Sequence, residues 1–354
     1  MKVDTENSYL IGRTQFTVIN SSSGPVWSDG RSITSGVPQG SILGPLLFSL
    51  YISDIENCMQ HCSVQLFADD IQIYLSFPPK DAPAAEMLIN EDLANIHSWT
   101  ISNFLVLNPN KCQHMLTGSR HSLSIVNDLD VFVDNVRISS SESVVSLGVV
   151  IDRELNLTNN VSRLCKKAYY SWKQLLPFRD VLDAPTKLLL TESLVLSLLN
   201  YGDIVYGPFI SCADNYRLQK VQNLCIRFVT RIPPFSHVTP YLREFRCLKV
   251  QERRFLHYAV FVSRVVSSRC PPYLFNKLSK RSEAHQRALR HIDSTLTIPI
   301  HSTEFFKQGF SYLATSVFNN FLSKFSSLEP KYLKICIKNM VLENHPDLIN
   351  IRMF

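Results

Sequence analysis

The sequence predicts an α+β chain, on two observations. In the first 150 or so residues, short alternating apolar runs are separated by turn residues. From about residue 153 the pattern changes to helical periodicity. A third observation divides the chain at the same place. Residues 1–150 carry 7 Lys/Arg against 15 Asp/Glu, a net of −8, whereas residues 151–354 carry 29 against 15, a net of +14. An acidic module joined to a basic one is therefore expected, and the basic half is a candidate polyanion binder.

Composition narrows the class. With 354 residues, 45% of them hydrophobic and 19% charged, the chain reads as globular with two or three modules. No apolar run reaches the ~18 residues that a membrane span needs. The longest, around 42–52, is interrupted by Gly44 and Pro45. A basic-then-apolar leader is not visible at the N-terminus, so the expectation is an intracellular protein of cytoplasm or nucleus, not secreted and without a membrane partner. The nine cysteines are irregularly spaced and read as reduced thiols. Cys58, His61, Cys62, Cys112 and His114 could be drawn as a zinc site, but no CxxC pair supports it.

Along the chain, residues 9–34 read as two short strands around the turn Ser21–Pro25. Residues 35–40, Ser-Gly-Val-Pro-Gln-Gly, form a loop, and Ser41 can cap a following helix with Leu43, Leu46, Leu47 and Leu50 on one face. Residues 64–75 place apolar residues on both sides of Asp69 and Asp70, which predicts a tight, buried hairpin with the acids at its tip. Helical spacing follows over 84–107, then a turn at 108–111, then strands near 112–117, 131–138 and 144–151. In the second half, helices are expected around 164–176, 186–199 and 216–229. Residues 278–294 form a basic linker or arm, and 295–346 reads as a strand followed by helices.

Two features carry chemistry. Adjacent carboxylates repel each other and resist desolvation unless a cation joins them. Mg²⁺ prefers carboxylate oxygens together with substrate phosphates, and two such ions can clamp both oxygens of a phosphoryl transfer. In the preceding loop, Gly36 and Gly40 allow close backbone approach, Pro38 stiffens the chain, and Gln39 offers an amide suited to a base edge.

Ser35-Gly-Val-Pro-Gln-Gly-Ser-Ile-Leu-Gly-Pro-Leu-Leu-Phe48, followed by Phe67-Ala-Asp-Asp70, strongly resembles the reverse transcriptases of LINE-type (non-LTR) retrotransposons. Trp99 through Lys111 is similar to that family's next palm motif, and Leu147–Asp152 to its primer-grip motif. Residues 164–168, 218–223 and 271–274 resemble the thumb and post-thumb region, and 310–325 the C-terminal tail.

The resemblance implies a partial palm over 1–152, a mainly α-helical thumb-like region over 153–277, and a basic linker with C-terminal extension over 278–354. It implies that Asp69 is the principal Mg²⁺ ligand and Asp70 its companion in catalysis. Gly36, Pro38, Gln39 and Gly40 would line the template and nucleotide site, and Lys111 would approach the nucleotide phosphates. The thumb helices would face a primer–template duplex, with Lys166, Lys167, Arg227 and Arg231 as backbone contacts and the 280–290 arm as a second one. RNA template, DNA primer and dNTPs are the implied partners. In that family a further catalytic aspartate lies well upstream of the Ser35 loop. Only 34 residues precede Ser35, and Asp4 and Asp29 lack the hydrophobic-strand context. The expectation is a chain that starts after that motif and the fingers and is inactive alone. The alternative is a non-catalytic nucleic-acid-binding remnant.

Overall fold

The computed structural model describes residues 9–22, 24–279, 295–325 and 330–343. It divides into two compact units, residues 1–114 with 121–140, and residues 115–120 with 141–354. The expected arm at 280–290 lies outside the described residues.

In the first unit, residues 9–34 make four short strands where two were expected. β1 (Arg13–Gln15) pairs with β4 (Arg31–Ile33), and β2 (Val18–Ser21) pairs with β3 (Gly24–Trp27) between them. Helix α1 (Gly44–Tyr51) follows, with Pro45 in its first turn, where the missing N–H costs nothing. The leucine face is largely uncovered: Leu43, Leu46 and Leu50 are exposed and only Gly44 is buried. An apolar helix face is covered only where a second element lies against it.

The expected hairpin is present as β5 (Ser63–Phe67) and β6 (Asp70–Tyr74), with Val64 opposite Ile73 and Leu66 opposite Ile71. It is half-buried rather than buried on both faces. Val64, Leu66, Ile71 and Ile73 point inward, while Phe67, Gln65, Gln72 and Tyr74 face out.

Helix α2 (Ala82–Ser102) buries Ala82, Ala85, Asp92, Ile96 and Thr100. Its polar residues pin strand β7 (Val131–Val133). Asn90 Oδ1 accepts from Phe132 N–H at 2.9 Å, and Glu86 accepts from Asp130 N–H at 2.9 Å. β7 pairs with β8 (Val136–Ile138) through a turn whose Asp134 and Asn135 both have positive φ, which suits the right-handed twist of a hairpin. The strand expected near 112–117 is absent. Only His114 bridges to Ser140.

The second unit opens with β9 (Ser143–Ser146) and β10 (Val149–Asp152), joined at Leu147 and Gly148, both with positive φ. Asp152 turns the chain into helix α3 (Thr158–Leu175) by accepting from the N–H groups of Asn156 and Leu157 at 3.0 and 2.7 Å. α4 (Ala184–Thr191) is capped by Asp183, runs into a π-helical turn at Glu192–Leu196, and resumes as α5 (Ser197–Asn200). α6 (Asp203–Tyr206) and α7 (Cys212–Thr230) complete one core with α3, centred on Val161, Ala168, Val195, Leu218, Val221 and Cys225.

α8 (Thr239–Glu244) precedes α9 (Val250–Ser268) and the single turn α10 (Pro272–Phe275). α9 then shares a second core with α12 (Phe310–Asn320) and α13 (Pro330–Leu342), through Ala259, Val262, Leu313, Ala314, Leu333 and Ile337. Between α10 and α12 comes α11 (Glu304–Gln308). After 295, where a strand was expected, the described residues show a single bridge residue, Leu296, which is also bound by a side chain. Asn319 accepts from Leu296 N–H at 2.7 Å and donates to Leu296 O at 2.8 Å, so both backbone groups of Leu296 are bound by one side chain. The architecture is thus α+β, with strands in short hairpins and helices dominant after residue 157. Among the described residues no single helix is long and apolar enough to cross a membrane.

Candidate functional site

The hairpin tip brings two of the expected residues together. Phe67 pairs with Asp70, so Ala68 and Asp69 are the only turn residues and the two aspartates are consecutive at the tip. Ala68 has φ +50°, a left-handed conformation that costs a Cβ-bearing residue about 1–2 kcal/mol. Asp69 and Asp70 are both exposed, and neither forms an ion pair among the described residues. Two hard, anionic oxygen donors therefore stand on consecutive residues at the tip.

What holds the hairpin was not visible in the sequence. Asp92, fully buried in α2, accepts from the backbone N–H groups of Gln60, His61 and Cys62 at 2.9, 3.0 and 2.7 Å. These residues lead directly into β5. Burial alone would raise the Asp92 pKa, but the three backbone donors outweigh it and hold the carboxyl below its ordinary value. The Cys62 thiol is pushed up to about 12, first by burial and then by its hydrogen bond to Asp92. Cys58, Cys62, His61, Cys112 and His114 do not gather around a metal. Among the described residues no group of three His, Cys, Asp or Glu could hold one.

The Ser35–Gly40 loop is also tied from a distance. Arg13 donates to Gly36 O at 2.6 Å and to Ser35 O at 3.2 Å, which turns two loop carbonyls toward β1. Ser41 Oγ donates to Pro38 O at 2.7 Å and accepts from Gly44 N–H at 3.1 Å, joining the loop to α1. Tyr9 donates to Ser41 Oγ in turn. Gly36 and Gly40 have φ of +74° and +80°, with open space where a Cβ would stand, so glycine is needed for conformation and not for room. Pro38 and Gln39 are exposed. No hydrogen bond joins Gln39 to either hairpin aspartate among the described residues. Lys111 is exposed at the end of a turn that Asn108 caps by accepting from Asn110 N–H at 3.1 Å.

In the second unit the four expected cations differ. Lys166 and Lys167 are exposed neighbours on α3, beside Tyr170, and make no ion pair among the described residues. Arg231 is internally engaged, donating to Arg179 O at 2.8 Å and lying 3.3 Å from Asp180. Arg227 is half-buried on α7 and donates to Ser236 O at 3.2 Å.

Residues 5–151 match the reverse transcriptase (RNA-dependent DNA polymerase) family. Over 254 residues the chain is 26% identical to the probable RNA-directed DNA polymerase from transposon X-element of Drosophila melanogaster, covering 69% of this chain and 26% of that protein. It is 24% identical over 269 residues to the corresponding protein of transposon BS from the same organism, covering 73% and 29%. It is 27% identical over 218 residues to the RNA-directed DNA polymerase from mobile element jockey, also of Drosophila melanogaster, covering 57% and 22%. The chain thus spans about a quarter of the length of the curated relatives it matches. No solved structure matches. A matched domain that contains both the glycine-bearing loop and the Asp69–Asp70 hairpin, and relatives whose similarity runs past it into the helical unit, identify residues 5–151 as a reverse transcriptase domain similar to those of LINE-type (non-LTR) retrotransposon RNA-directed DNA polymerases.

Proposed function

We propose that the chain is a palm-to-C-terminal segment of such an enzyme, and that its inherited reaction is RNA-templated DNA synthesis from an RNA template, a DNA primer and dNTPs. The observation that carries this reading is the hairpin tip, where Asp69 and Asp70 stand consecutive and exposed. Residues 1–152 act as part of the palm, 153–277 as the thumb, and 278–354 as a linker and extension.

The donors fit Mg²⁺, which takes carboxylate oxygens and keeps open positions for phosphates and water. Bound there, the ion supplies charge stabilisation to a phosphoryl transfer. Asp69 is the principal ligand and Asp70 its companion. Gln39 faces template or nucleotide from a loop held by Arg13 and Ser41, and Lys111 meets nucleotide phosphate.

Two carboxylates fill only part of an octahedral shell, and no third ligand joins them among the described residues. The polypeptide 1–354 taken by itself is therefore expected to bind nucleic acid without extending a primer. The alternative, a purely nucleic-acid-binding role, is favoured by the charge of residues 151–290, which carry 23 Lys/Arg against 10 Asp/Glu. Primer extension on poly(rA)/oligo(dT) with Mg²⁺ or Mn²⁺ tests the expectation of no activity from this polypeptide alone. No extension is expected from 1–354 alone, and extension that Asp69→Ala abolishes overturns that statement. The ligand assignment is read separately, by Mn²⁺-induced broadening of the Phe67–Asp70 amide signals. Broadening that survives Asp69→Ala with Asp70→Ala refutes it.

A further inference from the structure

A polar cleft lies within the helical unit and shares no lining residue with the surface around Lys166 and Lys167. It has a volume of about 340 Å³ and runs between the C-terminal half of α7, the 233–239 turn and the start of α9. Asn223, Arg227, Phe235, Ser236, His237 and Lys249 line it, and no carboxylate does among the described residues. This volume lies in the ~300–1,000 Å³ range of small-ligand pockets.

Two features of the cleft call for a ligand. The first is Arg227. Its Nη2 donates to Ser236 O at 3.2 Å, but its Nε is buried and has no hydrogen-bond partner among the described residues. A buried charged donor left unpaired is costly, and an anion placed in the cleft would relieve it. Lys249 adds a second cation at the same wall. The second feature is Phe235, which is 98% exposed although its turn is firmly held. Ser236 N–H closes the turn on Pro233 O at 3.1 Å, Arg227 grips Ser236 O, and Val238 is buried against Ile226 and Leu242. Pro233 and Pro234 restrict the backbone before it. The ring is thus presented at the rim by a fixed backbone.

We propose that this cleft holds one unpaired nucleotide of a single-stranded nucleic acid, with its phosphate on Arg227 and Lys249 and its base stacked on Phe235. An exposed aromatic ring beside cations is the arrangement that holds single strands with little sequence preference. Duplex bases have both faces covered by neighbours and cannot use the ring. The inference rests on the nucleic-acid reading given above, and it adds a single-strand subsite distinct from the duplex-facing lysines of α3.

The test uses the whole 354-residue chain and fluorescence anisotropy with a single-stranded RNA of about 12 nucleotides. A matched RNA–DNA hybrid and a phosphoserine peptide serve as controls. Phe235→Ala, which removes a fully solvated ring and leaves the turn's anchors in place, is expected to weaken single-strand binding roughly ten-fold while leaving hybrid binding unchanged. Phe235→Trp should restore it. Arg227→Gln should lower the log–log salt slope on the single strand by roughly 0.7. Single-strand binding indifferent to Phe235→Ala, or a phosphopeptide bound as tightly as the RNA, overturns the subsite while hybrid binding keeps the wider reading. Loss of all binding to RNA and hybrid in the wild-type chain overturns both.

Discussion

Arg254 occupies the space in which a side chain on Gly207 would begin. A Cβ at Gly207 would stand 2.0 Å from Arg254 Cδ and 2.4 Å from its Nε. Arg254 has nowhere to retreat. It is fully buried, donates to Asn215 Oδ1 at 2.7 Å, and lies over the Tyr206 ring at 5.3 Å. Desolvation lowers its pKa, and the nearby Tyr206 and Asp203 oppose that shift. Gly207→Ala should therefore destabilise the helical unit by about 2–3 kcal/mol through overpacking. Urea unfolding monitored by helical circular dichroism reads this, and an unchanged midpoint would show that Arg254 can give way.

Asp92 should be the polar residue whose loss most disturbs the hairpin. Asp92→Ala leaves three N–H groups at Gln60, His61 and Cys62 without their acceptor, at a cost of about 2–4 kcal/mol. Its folded-state pKa is depressed, so its contribution is present above the ordinary carboxylate value of about 4 and is lost as pH falls through the folded value. The penalty of Asp92→Ala should accordingly shrink when unfolding is repeated in acid. A penalty independent of pH would mean that the carboxylate charge is not what holds these amides.

Thiol chemistry provides an independent readout of the same contact. At pH 8 a thiol with a pKa of about 12 is ionised only at the 10⁻⁴ level, so Cys62 and Cys225 should resist alkylation. The exposed Cys212 and Cys270 should label first. Asp92→Ala should speed labelling of Cys62 and leave Cys225 slow. Equal rates at Cys62 and Cys212 in the wild-type chain would contradict the packing around Asp92.

On α3, Lys166→Glu with Lys167→Glu should weaken binding to an RNA–DNA hybrid and reduce the salt dependence by on the order of two phosphate contacts. Arg231→Ala should behave differently. Its guanidinium already serves Arg179 O and Asp180, so the change should lower stability slightly and leave hybrid affinity nearly intact. A filter-binding salt series on the three proteins decides the matter, and the reverse ranking would reject the exposed lysines as contacts.

Ala68 gives a prediction of opposite sign. Glycine adopts positive φ freely, so Ala68→Gly should stabilise the hairpin by about 1 kcal/mol. Gly36→Ala and Gly40→Ala should each destabilise the loop by a similar amount for the same reason. Hydrogen exchange of the hairpin and loop amides measures all three changes.

These contrasts mark what could be read from the sequence. The β5–β6 hairpin was legible because its period-two alternation surrounds a short polar tip, and α2 and α7 because their apolar spacing is long. Asn108-Pro-Asn-Lys111 was legible because an asparagine before proline has few conformations. The anchors were not. Asp92 acts on backbone amides 30 residues away, and Arg13 on carbonyls 22 residues away; neither leaves a pattern in its own neighbourhood. The same holds after 295, where Asn319 binds both backbone groups of Leu296 from a distant helix. The leucines of α1 show the converse limit. An apolar stripe states that a face wants cover, and it says nothing of whether the same unit provides any.

The π-helical turn at Glu192–Leu196 has a consequence for how this chain tolerates changes in length. An i→i+5 turn spends one residue more than an α-helical turn to climb the same ladder. Deleting one residue from an ordinary helix rotates everything beyond it by about 100° and carries buried positions to the surface. Here the flanks, Lys187 and Thr191 before the turn and Leu199 after it, already face the core across the surplus residue. Loss of the half-exposed Leu194 would let the segment close into continuous α-helix with both flanks keeping their faces. Among related sequences, single-codon deletions should therefore survive at this turn and be purged one helical turn to either side.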